Sequence, residues 1–520
     1  MAIVHSQRSY VAQLSRLKVV ETGYDLTLCC MEDTRKLVLD KIITWATNGP
    51  SQNNESNTYW IYGSPGIGKT ALAHSISHSL HDQRQLIGAF FCQRDHERLS
   101  QTRNILPTLI YQLATMVPAF RRIVAKCLSD DHILSPGSID QSFLLKLFEL
   151  FTRPPKPTLA FVVDALDECG DNRSQKYILE ALTGVAAQVP WLRIIITSRP
   201  ESGIKRFFDN RAHLSELRCD LDADQDASED LKRFAKHEFD LLAKARTLST
   251  TWLENWLFDK VVSHANGLFI FITTVVRSLE YSGDPRESLM ATLENPPGTN
   301  SLYELYTTIL QQRIPPKNSH FKGFQRVIGV LLVSAPYRSL RKETIAELAG
   351  VEPTLVRSWM DFLAPLFYED KNGIRVRHLS ISDFFMSNEG SDYYVNPQNA
   401  NIQLGITCLK IMVGQLRFNI CNLKDSRFAN ASVQDLQSRI DKNIPDLVQY
   451  SCLYWSNHLC STPENDDQHG REHLRKFIEG CYPLFWIEVL SLLGMVSIGA
   501  PSLRRVLRTR VKVSIAPARG

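Results

Sequence analysis

The segment Gly63-Ser64-Pro65-Gly66-Ile67-Gly68-Lys69-Thr70 lies between the apolar run Tyr59–Tyr62 and the helix-forming stretch Ala71–Leu80. Strand, glycine-rich turn and helix thus arrive in the order a phosphate cradle needs, which constrains the chain around it to an α/β arrangement. Gly63, Gly66 and Gly68 let backbone N–H groups converge on the β- and γ-phosphates, and the helix that follows turns its positive end toward them. Lys69 adds a mobile positive charge. Thr70 offers a hydroxyl to Mg²⁺, a hard cation that keeps several waters and needs few protein contacts. Ser64, Pro65 and Ile67 complete the loop, so the whole octapeptide is the expected binding segment for ATP or ADP.

Two further segments complete an NTP site. Leu159–Val163 is a continuous apolar run, the pattern of a strand buried on both faces, and Asp164 stands at its end. A carboxylate at such a strand tip can hold Mg²⁺ through water. Asp167 and Glu168 follow within one turn, and one of the two is expected to orient or deprotonate the attacking water. Ile194–Ile196 is a third strand of the buried type, with Thr197, Ser198 and Arg199 at its carboxyl end. Ligand contacts in open α/β sheets gather there, which makes Arg199 a candidate sensor of the γ-phosphate.

At 520 residues with 44% hydrophobic content the chain has room for several folded cores. Its 59 basic and 55 acidic residues leave a net charge of +4, no strong case for nucleic acid or a membrane as partner. Eleven cysteines lie scattered without metal-type pairing, as expected for reduced thiols. The amino terminus lacks the apolar core and cleavage site of a secretory signal, and a cytoplasmic location is expected. The longest apolar stretch, Tyr482–Ala500, contains Glu488, which favours a buried or partner-facing helix over a membrane span.

The predicted organisation is a leader over 1–50 with an amphipathic helix at Met31–Ala46, and a nucleotide-binding domain over 51–222 opened by the polar linker Ser51–Thr58. A helical domain over 223–298 ends at Pro296-Pro297-Gly298, a winged-helix region spans 299–390, a helical domain spans 391–500, and a basic tail fills 501–520. Within the second domain, strands at Gly88–Cys92 and Leu159–Val163 are separated by helices at Thr102–Val117 and Ser142–Phe151, with Pro154–Pro157 turning into the acidic strand. The fold class expected is a parallel sheet with flanking helices of the P-loop NTPase type, followed by α-helical domains and a winged helix.

On these residues the chain resembles fungal NACHT-type STAND NTPases of the nephrocystin-like N-terminal group, relatives of the NOD-like receptors. The resemblance rests on GSPGIGKT, GAFFCQRD at Gly88–Asp95, FVVDALDEC at Phe161–Cys169, IIITSRPE ending at Glu201, and the later HANGLFIF, RHLSISDFF and YSCLYWSNHL, in the family's order. It implies a switch that holds ADP when closed, exchanges it for ATP, and assembles into a homo-oligomer through the nucleotide-binding domain. It also implies that Lys69 and Thr70 bind phosphate and Mg²⁺, that Asp164 supports the metal, and that Asp167 or Glu168 assists slow hydrolysis. Arg199 then reads the terminal phosphate, and His378 in RHLSISDFF is the winged-helix histidine that reaches the ADP β-phosphate.

The chain departs from the relatives in two places. Where many carry GLPL it has Gly267-Leu268-Phe269-Ile270, and it is expected to lack the C-terminal repeats that serve fungal members as sensors. Signalling in self/non-self recognition or programmed cell death is the function implied, with a protein partner expected through residues 391–500. A remodelling or DNA-associated ATPase of AAA type is the alternative, which the helix Thr354–Leu363, with one arginine and one aspartate, does not favour. A truncated, non-cycling nucleotide-binding regulator is the third reading.

Overall fold

The computed structural model describes residues 13–510 except 18, 49–55, 131–138, 140, 150–157, 212–213, 215–216, 225, 250, 295–300, 389, 425–428 and 462–467. Most of the predicted linker, the prolines at 154–157 and 296–297 and the tail beyond residue 510 lie outside the described residues, as do residues 1–12 of the leader. The chain divides into two compact units. The first is Met1–Thr308 together with the short segment His378–Ser380, and the second is Ile309–Arg377 with Ile381–Gly520.

The first unit is built on five parallel strands, β1 Thr58–Tyr62, β2 Leu86–Phe91, β3 Leu159–Asp164, β4 Leu192–Ser198 and β5 Arg218–Asp220, in the order β2-β3-β4-β1-β5. Strand side chains alternate between faces, and both faces are apolar. Ile42 and Ala46 of α1 (Lys36–Thr47) and Leu72, Ile76 and Leu80 of α2 (Lys69–Asp82) pack over Tyr59, Ile61, Val162 and Ile195. On the other face, Trp60, Phe161, Val163 and Ile194 meet α3 (Ile105–Met116) and later helices of the unit. This register brings the carboxyl ends of β1, β4 and β3 side by side, with β4 in the centre.

Helices α4 (Pro118–Asp130), α5 (Gln141–Glu149), α6 (Asn172–Gln188) and α7 (Ser202–Asp209) complete the α/β layer. Then come α8 (Ala227–Ala245), α9 (Asn255–Ala265), α10 (Phe269–Glu280), α11 (Pro285–Thr292) and α12 (Ser301–Arg313), whose residues from Ile309 onward belong to the second unit. The amphipathic leader helix starts five residues later than its periodicity predicts. Asp33 and Arg35 take left-handed backbone angles, φ 67° and 55°, which no helix can contain. The fifth strand escapes sequence patterning because its three residues are half-buried and too few to show a period.

The second unit is helical. It comprises α13 (Phe321–Ser334), α14 (Lys342–Ala349), α15 (Pro353–Phe362), an antiparallel hairpin of β6 (Phe367–Asp370) and β7 (Gly373–Val376), and most of α16 (Leu379–Ser387). It continues with α17 (Pro397–Gln415), α18 (Leu436–Asn443), α19 (Asp446–Leu459), α20 (Gln468–Glu479), α21 (Tyr482–Leu492) and α22 (Gly499–Arg510). Gly405 lets α17 and α19 touch, since a Cβ there would lie 2.7 Å from the Leu459 nitrogen. Glu488, the charge inside the apolar stretch, accepts the backbone N–H groups of Asn419 at 3.1 Å and Ile420 at 3.0 Å. No helix among the described residues is long and apolar enough to cross a membrane.

Candidate nucleotide site

The phosphate loop joins β1 to α2. Gly66 and Gly68 adopt left-handed φ angles of 83° and 99°, which glycine takes without strain. Lys69 opens α2 and folds back, its Nζ donating to the carbonyls of Gly63 at 2.7 Å and Ser64 at 2.8 Å. Burial lowers its pKa to about 8; Asp167 opposes that shift and the Arg199 charge adds to it. The loop is braced on both flanks. Ser64 donates its N–H to Asp222 at 2.9 Å, and the Ile67 carbonyl accepts from the guanidinium of Arg35 at 3.0 Å. Arg35 is buried, pairs with Asp224 and lies over the Phe269 ring at 5.4 Å.

The acids gather at the ends of β3 and β4. Asp164 is 1% exposed and takes the hydroxyl of Thr197. Thr197 in turn accepts the N–H of Ala165 at 2.8 Å, which holds Ala165 at a left-handed φ of 52°. That turn swings Leu166–Glu168 into a 3₁₀ turn facing the loop. Burial pushes the Asp164 carboxyl up to about 6, against the pull of the Thr197 and Thr70 hydroxyls and of Lys69. Glu168 rises further, to about 8, through burial first and then the neighbouring Asp167 and Asp164. Asp167 is bound to Arg199, accepting its backbone N–H at 2.9 Å and facing its Nε at 3.3 Å. Glu168 takes the Arg94 N–H at the longer distance of 3.4 Å.

His378 belongs to the first unit by its contacts. Its Nδ1 accepts the N–H of Ser380 at 3.2 Å and lies 2.6 Å from the Ser380 hydroxyl, which lies 2.7 Å from the Tyr306 hydroxyl. A nitrogen that accepts an amide N–H carries no proton, so the neutral ring carries its hydrogen on Nε2. Burial, with the Arg199 and Lys69 charges, lowers the His378 pKa to about 3 and keeps the ring neutral. A Cβ on Gly66 would lie 3.8 Å from His378 Cε1, which places the imidazole beside the phosphate loop.

The structure thus brings Gly63–Thr70, Asp164, Asp167, Glu168, Arg199 and His378 to one place. Side-chain groups suited to Mg²⁺ are the hydroxyl of Thr70 and the carboxylate of Asp164, and the hydroxyl is near enough to pull the Asp164 pKa down. A hydroxyl and a carboxylate are hard oxygen donors of the type Mg²⁺ takes. Among the described residues no group of three or more His, Cys, Asp or Glu forms an all-protein metal cage. Mg²⁺ does not require one, because it keeps its waters and leans on substrate phosphates.

Sequence reasoning missed three contributors. Ile270 donates its N–H to the Gly66 carbonyl at 3.3 Å, so α10 starts directly against the loop. The left-handed pair Asn266 and Gly267, φ 45° and 82°, makes that abrupt start, and Gly267 was the available signal. Arg35 and Asp222 act across long chain separations, and nothing local in the sequence marks them.

Residues 36–199 match the family described as "Nephrocystin 3, N-terminal", which spans the loop, the acidic strand and Arg199. No curated protein matches the chain. Among solved structures, it is similar to the Walker-type ATPase PABY2304 of Pyrococcus abyssi, at 15% identity over 69% of this chain and 98% of that one, TM-score 0.32. The ORC2 protein of Aeropyrum pernix, in ADPNP–ADP complexes, matches at 13% identity over 70% and 96%, TM-score 0.33. Cdc6p from Pyrobaculum aerophilum matches at 13% over 69% and 92%, TM-score 0.33.

Proposed function

Because residues 36–199 are a nephrocystin-like P-loop NTPase domain, we propose that this nucleotide-binding protein is an ATP/ADP switch of the NACHT/STAND type. In this reading slow hydrolysis separates a closed ADP form from an open ATP form that self-associates. The observation that carries the proposal is the position of the His378 imidazole beside the phosphate-loop glycine Gly66, with Nδ1 turned to the Ser380 N–H so that Nε2 is left to carry the hydrogen of a neutral ring. A hydrolase that only turns over needs no donor from so far along the chain. A switch does, because nucleotide shifts an equilibrium only through contacts that differ between states.

Each residue has a definite task. The amides of Gly63–Thr70 bind the phosphates, and Lys69 releases two loop carbonyls to reach them. Thr70 and Asp164 are the residues that would hold Mg²⁺, which when bound would neutralise charge on the phosphate oxygens. Glu168 takes the proton of the water whose oxygen attacks the γ-phosphorus as the bond to the β–γ bridging oxygen breaks. Its raised pKa and looser hydrogen bonding suit a base, whereas Asp167 is committed to holding Arg199. Arg199 reads the γ-phosphate and the His378 Nε2–H holds the ADP β-phosphate.

The sequence resemblance sets this switch in self/non-self recognition or programmed cell death, and an amino terminus without the pattern of a secretory signal supports a cytoplasmic location. The helix–helix–hairpin–helix order of α14, α15, β6–β7 and α16 is read as its winged helix. The DNA-associated alternative has little support: the single arginine of α15, Arg357, faces Glu343 at 3.5 Å.

The test is the nucleotide carried by freshly purified protein, wild type beside His378→Ala. The switch predicts co-purified ADP in the wild type and its depletion, or replacement by ATP, in the variant. An empty wild type with fast steady turnover would instead mark a motor, and an empty, inactive one a non-cycling regulator.

A further inference from the structure

The second unit holds a cavity of about 350 Å³ where α13, the end of α14 and the first turns of α17 meet. Small-molecule sites occupy roughly 300–1,000 Å³. The inner wall is apolar: Val330, Leu348 and Leu404 line it and are buried. Gly329 brings α13 against α17, since a Cβ there would lie 3.3 Å from that of Ala400. The mouth is polar and charged. Lys322 and Arg326 stand one helical turn apart on α13, Asn399 and Gln403 one turn apart on α17, and all four are exposed to solvent. Arg326 also donates to the Gly350 carbonyl at 3.3 Å, which draws its guanidinium toward the end of α14.

The charge is one-sided. The residues lining this cavity include two cations and no aspartate or glutamate. A deep apolar wall with a cationic, amide-bearing mouth selects a ligand with one anionic end and an apolar body. We propose that this cavity is a binding site for a small amphipathic carboxylate, its hydrocarbon part on Val330, Leu348 and Leu404 and its head group at Lys322 and Arg326. The amides of Asn399 and Gln403 supply further donors to the carboxylate. The site lies wholly within the second unit and stands independently of the nucleotide switch.

Isothermal titration of the full chain with decanoate, 1-decanol and decylammonium, each below its aggregation threshold, tests it. Decanoate is expected to bind about tenfold or more tighter than decanol, since a charge-assisted hydrogen bond is worth at least that factor, and decylammonium weakest of the three. Lys322→Glu with Arg326→Glu, both at exposed positions, is expected to remove the decanoate preference while leaving decanol unchanged. Gln403→Trp, at the mouth, is expected to block both. Equal affinity for acid and alcohol, decanoate binding unmoved by the charge reversal, or no binding to the wild type would each overturn the proposal. So would self-association of the wild type that Gln403→Trp abolishes, because the groove would then belong to a second copy of the chain.

Discussion

Asp167 holds Arg199 at two points, accepting its backbone N–H at 2.9 Å on one carboxylate oxygen and facing its Nε at 3.3 Å with the other. Arg199 directly follows β4 and Asp167 sits in the 3₁₀ turn after β3, so this pair positions the arginine before any ligand arrives. Asp167→Ala removes both contacts at a buried site and is expected to cost about 3 kcal/mol of stability, read as a lower urea midpoint. Asp167→Asn keeps an acceptor for the amide and should cost less. Glu168→Gln is expected to leave the midpoint intact at pH 5 yet lower ATP turnover by about 10²- to 10³-fold. Similar turnover losses with no stability difference between Asp167→Ala and Glu168→Gln would assign both carboxylates the same task.

The raised carboxyls give the nucleotide-free protein a defined pH response. Glu168 moves from the ordinary 4.5 to about 8 and Asp164 from 3.8 to about 6, so the folded chain holds these protons longer than the unfolded chain does. Their contribution to stability is complete below the unfolded values and is lost as pH rises through the folded ones. Lys69, lowered to about 8, has the opposite sign and adds stability only above that pH. Buried His378, His74 and His458, lowered to about 3, about 4 and about 3, also oppose the carboxyls below pH 6.5. The Tm of the wild type relative to Glu168→Gln should therefore fall between about pH 5 and 8, and a difference that stays constant over this range would place the titrating group elsewhere.

The legible parts of this chain were those where one local pattern has one physical solution. Leu159–Val163 and Ile194–Ile196 have no polar face, so they can only be strands covered on both sides, and Asp164 and Arg199 follow at their ends. The acidic pair Asp167 and Glu168 could be located but not divided between roles. Their difference lies in which carboxylate meets Arg199, a contact that Asp167 makes across 32 residues. Arg35 was illegible for a related reason: its backbone angle breaks the leader helix, and its partners Ile67 and Asp224 lie far along the chain. The place of α10 against Gly66 is likewise a tertiary fact with no periodic trace.

Ser380 sets the tautomer of His378, and this gives a test separable from loss of the ring. Ser380→Ala removes the hydroxyl 2.6 Å from Nδ1 while leaving the backbone N–H of residue 380 in place. The ring is then still oriented, though less firmly. Release of a fluorescent ADP analogue should quicken about five- to tenfold in Ser380→Ala, the worth of one hydrogen bond of about 1 kcal/mol, and considerably more in His378→Ala. Equal rates in all three proteins would remove His378 from the nucleotide's surroundings.

Gly66 is the point at which the loop and α10 press closest. A Cβ built on it would lie 2.1 Å from Ile270 Cγ2 and 2.9 Å from Ile270 Cβ, and its φ of 83° disfavours any side chain. Gly66→Ala therefore combines a steric clash with a left-handed alanine, and together these should cost about 3 kcal/mol. Truncating the neighbour relieves one of the two. In Gly66→Ala with Ile270→Ala the clash with Cγ2 is gone while the 2.9 Å approach to Cβ and the backbone strain remain, so the double variant should recover only part of the loss, a coupling of about 1 kcal/mol by double-mutant cycle. Strict additivity of the two single variants in urea unfolding would mean that α10 is not held against the phosphate loop in solution.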